Sequence, residues 1–233
     1  MKAVDALLNA AVAAGDVPGV VAAVTTGGGT LYSSAQGARA LGGQVAMSLD
    51  TVMKIHSMTK PIVGAAAMQL VEQGKIDLDA PAAKLIPELG SFMVMEGRDA
   101  NGAPRLRAPR TAITLRNLLT HSAGFTYDIW NPETARYYKE RNLPRAGSGK
   151  DIALRIPLQF DPGERWEYGI NIDWAGKMVE AASGLRLGEY LRRNLFAPLG
   201  MDSTGFYVTP EMASRMATMH QRQADGSLAL NPM

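Results

Sequence analysis

The 233-residue chain has no cysteine. That removes thiol nucleophiles, disulfide frameworks and thiolate metal sites together. Histidine is scarce too: His56, His121 and His220 stand far apart without an H-E-x-x-H pairing, so no metal or cofactor is expected. Neither sign of charge dominates. Lys plus Arg number 24 against 22 Asp plus Glu, and basic residues form no run beyond the scattered Arg105, Arg107 and Arg110. Nucleic acid and anionic membrane are therefore not expected partners. No apolar run approaches a membrane span, and the opening MKAVDALLNAAVAAGD is interrupted by Asp5 and Asn9. It suits an amphipathic first helix better than a signal peptide, and the expectation is a soluble, cytoplasmic protein. Nucleotide-binding and elbow motifs are missing as well: Gly27 to Gly29 and Gly149-Lys150 do not make a phosphate loop, and no G-x-S-x-G occurs.

What is present is a core-forming composition, 46% hydrophobic, enough for one large domain or two modest ones. GVVAAVTT and TLYSSAQG read as the two strands of a hairpin turned at Gly27 to Gly29. Helix signals follow from Ser57 to about Gln73 with a stop at Gly74, at LRNLLTH behind a Thr114 cap, and at NIDWAGKMVEAASG and LGEYLRRNLFAPLG. DIALRIPLQF reads as a helix ending near Pro157, and SFMVMEGRDANGAPRLRAPR as an exposed excursion with a hairpin at Asn101-Gly102. Residues 126–150 carry aromatics and charges and end in a loose PRAGSGK. One helix, a hairpin and then mostly helices imply a small sheet joined to a helical region.

The segment KIHSMTKPIV places Ser57 three positions before Lys60. On a helix starting at Ser57 the two side chains share a face, and Pro61 fits a first turn, whose N–H groups lack intrahelical acceptors. A lysine base needs its pKa lowered by ~3 units, worth roughly 4 kcal/mol of desolvation or neighbouring charge. Alone, the spacing is weak: with eleven Ser and eight Lys, about 0.4 chance matches are expected. On the spacing alone, a capping Ser57 with Lys60 in solvent is the favoured reading.

Longer segments supply the context. PIVGAAAMQLVEQGKIDLDAP after SMTK, then ITLRNLLTHSAGF, DPGERWEYG and LFAPLGMDSTGF resemble, in order, the landmarks of the serine beta-lactamase and penicillin-binding-protein superfamily. Within it they are most similar to the class C-like esterases called family VIII carboxylesterases. The resemblance implies an α+β fold, an antiparallel sheet flanked by helices plus a mostly helical domain. It puts residues 1–56 in the N-terminal part of the α/β domain and 57–233 in the helical region. It also implies that Ser57 is the acylated nucleophile, with Lys60 or Tyr168 as the base. The class C pattern Tyr-x-Asn is not kept, since Tyr168 is followed by Gly169 and Ile170, and Asn171 comes one residue late.

That departure disfavours beta-lactam hydrolysis. It points to a serine carboxylesterase acting on short-chain acyl esters through an acyl-enzyme. The alternatives on the same fold are a beta-lactamase, a D-aminopeptidase, an amide hydrolase, an acyltransferase or a non-catalytic binding protein. The Ser57 backbone N–H is the expected oxyanion donor, and His56, Phe125, Tyr127 and Ile170 are the expected substrate-facing residues. His121 reads as structural, Trp174-Ala175-Gly176 as helix packing, and Asp161-Pro162-Gly163 as turn chemistry. The resemblance also implies C-terminal strands that do not occur in this sequence, to be supplied by a further segment or a second chain. By itself the chain is expected to be weakly active or inactive.

Overall fold

The computed structural model describes residues 1–231; Pro232 and Met233, the end of ADGSLALNPM, lie outside the described residues. The fold is α+β. It divides into two compact units, one made of Met1–His56 together with the chain from Ser203 onward, the other of Ser57–Asp202.

In the first unit, helix α1 (Lys2–Ala13) precedes the hairpin of β1 (Gly19–Thr26) and β2 (Gly29–Gly37). The strands pair antiparallel from Gly19↔Gly37 to Thr26↔Gly29, with a register shift at Val24/Thr25. Tyr32 on β2 donates its hydroxyl to Asp5 on α1 at 2.7 Å, tying helix to hairpin. At the mouth the strands nearly touch: a Cβ on Gly37 would sit 2.4 Å from the Pro18 carbonyl oxygen, so only glycine fits there.

The chain from Ser203 onward, grouped by sequence alone with the helical region, belongs to this first unit because Val52 forms a parallel bridge with Met216. Val52 N–H donates to Arg215 O at 3.0 Å and Ala217 N–H to Val52 O at 2.9 Å, while Arg215 Nη1 donates to Asp50 O at 2.7 Å. A short hairpin of His220–Arg222 and Leu228–Leu230 follows, and His220 Nε2 accepts from the Leu41 N–H at 3.0 Å. Such long-range pairings leave no local sequence signal.

The second unit holds the large core. Helix α2 (Thr59–Glu72) contributes Val63, Ala66, Ala67 and Leu70; α3 (Leu115–Leu119) contributes Leu115 and Leu118. A further helix, which the sequence reading did not identify, spans Pro132–Glu140 (α4). Its charged segment PETARYYKE buries only Thr134 and Tyr138, on one face, and is started by the Asn131 side chain, which accepts the Thr134 N–H at 3.0 Å. Helix α5 (Asn171–Ser183) supplies Trp174, Ala175, Met178 and Val179, and α6 (Leu187–Leu191) supplies Tyr190 and Leu191. The alanines on α2 and α5 let these helices pack closely, and each large buried side chain contributes roughly 1.5–3 kcal/mol. Gly184, in the left-handed conformation at φ 72°, closes α5.

Two local expectations are corrected here. DIALRIPLQF is not a helix: a 3-10 turn over Asp151–Leu154 gives way to extended chain that bridges Val94 of β3 (Val94–Arg98). Leu158 N–H donates to Met93 O at 2.9 Å and Met95 N–H to Leu158 O at 2.8 Å. Pro157 cannot extend a helix, and this pairing satisfies the backbone instead. The excursion from Ser91 to Arg110 does hold a hairpin, β3 with β4 (Pro104–Arg107), but Val94 and Met95 are buried. Among the described residues no helix is long and apolar enough to cross a membrane, and no group of side chains is arranged to hold a metal ion.

Candidate active site

A 3-10 turn over His56–Met58 leads into α2. Ser57 is exposed and Lys60 half-buried on the first turn of α2. The three-residue spacing folds as expected: Lys60 Nζ donates to Ser57 Oγ at 3.1 Å. Tyr168 reaches the same atom from 111 residues away, its hydroxyl donating to Ser57 Oγ at 2.8 Å. Lys60 Nζ also stands over the rings of Tyr168 and Tyr127, 4.7 and 5.7 Å from their centroids.

Tyr168 rides on the loop DPGERWEYG, which is anchored at its start. Asp161 is buried, and its carboxylate accepts two bonds from Arg107, at 2.8 and 2.7 Å, and one from the Arg110 N–H at 2.8 Å. These contacts hold its carboxyl down at about 2, against the opposing effect of burial. Thr111 Oγ1 donates to Pro162 O at 2.6 Å, and the Gly163 N–H to Ser122 O at 2.8 Å. Asp161-Pro162-Gly163 is thus a buried anchor as well as a turn.

Burial pushes the Tyr168 phenol up, but hydrogen bonds from Lys60 and Ser57 and the charge of Lys60 outweigh it, leaving its pKa below the ordinary phenol value. Tyr127 is held above that value, chiefly by burial. The His121 imidazole is pushed down to about 4 by burial and by the Lys60 charge, so it is neutral at neutral pH. Around the Tyr168 ring lie His121, Trp130, Tyr127 and Trp166, with centroids at 4.7, 5.3, 5.5 and 6.5 Å. Asp173, in the first turn of α5, opens to solvent yet stands among enough protein that its carboxyl is pushed up, the Lys60 charge acting the other way.

Ser57, Lys60, Tyr168 and Tyr127 therefore come together. Phe125 and Ile170 do not join them: both are fully buried, and Phe125 packs edge-on to Phe92 and stacks on Trp174. Their side chains belong to the core rather than to the surface around Ser57. His56 is exposed, in a left-handed conformation at φ 41°. Trp174 and Gly176 lie inside α5, where Trp174 is buried as packing. Sequence reasoning gave no positioning role to His121 or Asn171. Asn171 is fully buried, and its Nδ2 donates to Phe125 O and to His121 Nδ1, both at 3.1 Å. The unbroken run Tyr-Gly-Ile-Asn at the start of a helix was the only available signal.

The acyltransferase mokF of Monascus pilosus is 36% identical over 238 residues, covering 98% of this chain and 58% of that protein. The lovastatin esterase of Penicillium rubens is 35% identical over 208 residues, covering 87% of this chain and 52% of that protein. Among solved structures, unliganded simvastatin synthase from Aspergillus terreus superimposes with a TM-score of 0.91 at 36% identity, covering 99% of this chain and 60% of that one. The chain thus spans a little over half the length of these relatives. A family model for beta-lactamase matches residues 4–233. A match of that extent, over the same residues whose folding brings Ser57, Lys60 and Tyr168 together, makes this chain a member of the beta-lactamase family, within the superfamily of serine beta-lactamases and penicillin-binding proteins.

Proposed function

We propose that this chain carries the acylation machinery of a serine carboxylesterase acting on short-chain acyl esters. The observation that supports this most directly is Ser57 Oγ, hydrogen-bonded by both Lys60 Nζ and Tyr168 Oη. Serine is a weak nucleophile until its proton has an acceptor. Tyr168 is the nearer partner, and the Lys60 charge favours its tyrosinate, so the two act as one coupled acceptor.

Ser57 Oγ bonds to the ester carbonyl carbon as its proton passes to the Tyr168–Lys60 pair, and the carbonyl oxygen becomes an oxyanion facing the Ser57 backbone N–H. Collapse breaks the bond to the leaving alkoxide, which takes the proton back and departs as the alcohol. Water repeats the sequence on the acyl-enzyme, releasing the acid and restoring Ser57. No cofactor enters this scheme.

A second reading changes only the acceptor: an alcohol replaces water and the acyl group is transferred. It is favoured by the acyltransferase and simvastatin synthase among the relatives, while the lovastatin esterase favours hydrolysis. Product partitioning separates the two. With p-nitrophenyl butyrate and a graded concentration of a secondary alcohol, an esterase gives butyric acid throughout, whereas an acyltransferase gives increasing butyrate ester. Nitrocefin in the same panel tests the beta-lactamase alternative. Acylation of Ser57 by nitrocefin and by no ester would overturn the esterase reading.

A further inference from the structure

We propose that His121 is a positioning residue for Tyr168, holding the two peptide N–H groups that flank the tyrosine and backing the phenol with its ring. The inference rests on the acyl-transfer reading for the meaning of Tyr168, although the contacts themselves do not.

Three contacts from one residue converge on Tyr168. The Glu167 N–H donates to the His121 carbonyl oxygen at 3.0 Å. The Gly169 N–H donates to His121 Nδ1 at 3.4 Å. The two rings lie 4.7 Å apart, inclined at 46°. The N–H groups of the residues before and after Tyr168 are thus held by the backbone and the side chain of a single residue.

The bonding also assigns the ring tautomer. Asn171 Nδ2 donates to the Phe125 carbonyl oxygen, which accepts only, so the amide orientation is fixed. The same Nδ2 points at His121 Nδ1, and the Gly169 N–H does too. Nδ1 is therefore an acceptor, and the proton of the neutral ring sits on Nε2. A neutral imidazole agrees with the burial of this residue and the nearby charge of Lys60.

His121 is also the stop of α3: it adopts φ 55°, with the Ser122 N–H donating to Asn117 O at 2.8 Å and the His121 N–H to Leu118 O at 3.3 Å, a left-handed helix end from which its carbonyl and ring meet the Tyr168 loop. Gly169 completes the fit, because a Cβ there would lie 2.3 Å from the Phe125 carbonyl oxygen. A side chain that merely filled space at the end of α3 would need no acceptor aimed at the Gly169 N–H.

The test uses the whole chain labelled with 15N-histidine and 13Cζ-tyrosine, with resonances assigned through His56→Gln, His220→Gln and Tyr168→Phe. At neutral pH the wild-type His121 ring is expected to be neutral with its proton on Nε2; an imidazolium or a proton on Nδ1 overturns the proposal. His121→Gly relieves the left-handed backbone but supplies no acceptor, whereas His121→Asn tolerates that backbone and offers a side-chain oxygen near the Nδ1 position. The Tyr168 titration midpoint is expected to rise in His121→Gly and to lie nearer wild type in His121→Asn. Fluorophosphonate labelling of Ser57 should slow by about 10- to 100-fold in His121→Gly, the scale set by misplaced catalytic geometry, with partial recovery in His121→Asn. A folded His121→Gly with the wild-type midpoint and labelling rate overturns the proposal. If wild-type Ser57 is not labelled but the Tyr168 midpoint responds as described, the acyl-transfer reading fails and the positioning role stands. If His121→Gly does not fold, the wild-type tautomer decides.

Discussion

Tyr168 Oη and Ser57 Oγ lie 2.8 Å apart across 111 residues of chain. Removing that hydroxyl with Tyr168→Phe keeps the ring and its aromatic neighbours but deletes the proton acceptor nearest Ser57. Ester turnover should fall by about 100- to 10,000-fold, the usual contribution of a positioned acid–base group, with the circular dichroism spectrum unchanged. A loss of only a few fold would remove Tyr168 from the proton pathway.

The pH dependence has a definite sign. The accepting form of Tyr168 is the tyrosinate, so the rate of Ser57 acylation should rise with pH through a midpoint below the ordinary phenol value of ~10, the direction in which the Lys60 and Ser57 contacts shift it. Lys60→Met deletes the Lys60 hydrogen bond and charge and leaves only the Ser57 bond to oppose burial, so the midpoint should move up. A pH–rate profile of both proteins checks this. A midpoint unmoved by Lys60→Met would contradict the coupling.

Asp161 predicts an acid-sensitive anchor. Its folded pKa, about 2, lies below its unfolded value of ~3.9. Its contribution to stability is therefore complete above about pH 4 and disappears as pH falls through about 2. Asp161→Asn should lower the melting temperature by roughly 4–10 °C at neutral pH, and the gap to wild type should close as acid protonates the native carboxylate. Melting curves recorded from pH 7 down to the limit of solubility test the convergence.

How much of this was legible in the sequence followed the range of the interactions. The Ser57–Lys60 pair is local, so helix geometry alone places it. The hairpin at Gly27 to Gly29, the Thr114 cap and the Gly184 stop are likewise fixed by residues a few positions apart. Tyr168 came from family resemblance, because no spacing rule joins residues 111 positions apart. Phe125 and Ile170 were expected to face substrate from the family resemblance, but both are buried in the core, Phe125 against Phe92 and Trp174. His121 read as structural because its ring contacts come from Gly169 and Asn171, forty-eight and fifty residues away. DIALRIPLQF read as a helix up to Pro157 because its strand partner, Val94 of β3, lies some sixty residues earlier in the chain.

The core assignment of Phe125 has its own consequence. Phe125→Ala should cost about 3–5 kcal/mol of stability through the cavity it leaves, read by urea unfolding. Whatever fraction stays folded should keep the wild-type KM for p-nitrophenyl butyrate. A changed KM at unchanged stability would return Phe125 to the substrate surface.

The central claim is that Ser57 carries the acyl group. The most direct measurement is acid quenching during p-nitrophenyl butyrate turnover, followed by proteolysis and mass spectrometry of the Ser57 peptide. A butyryl group on Ser57, absent from a folded Ser57→Ala variant that releases no p-nitrophenol above background, is the expected result. Butyrylation elsewhere, or p-nitrophenol release by Ser57→Ala at the wild-type rate, would contradict it.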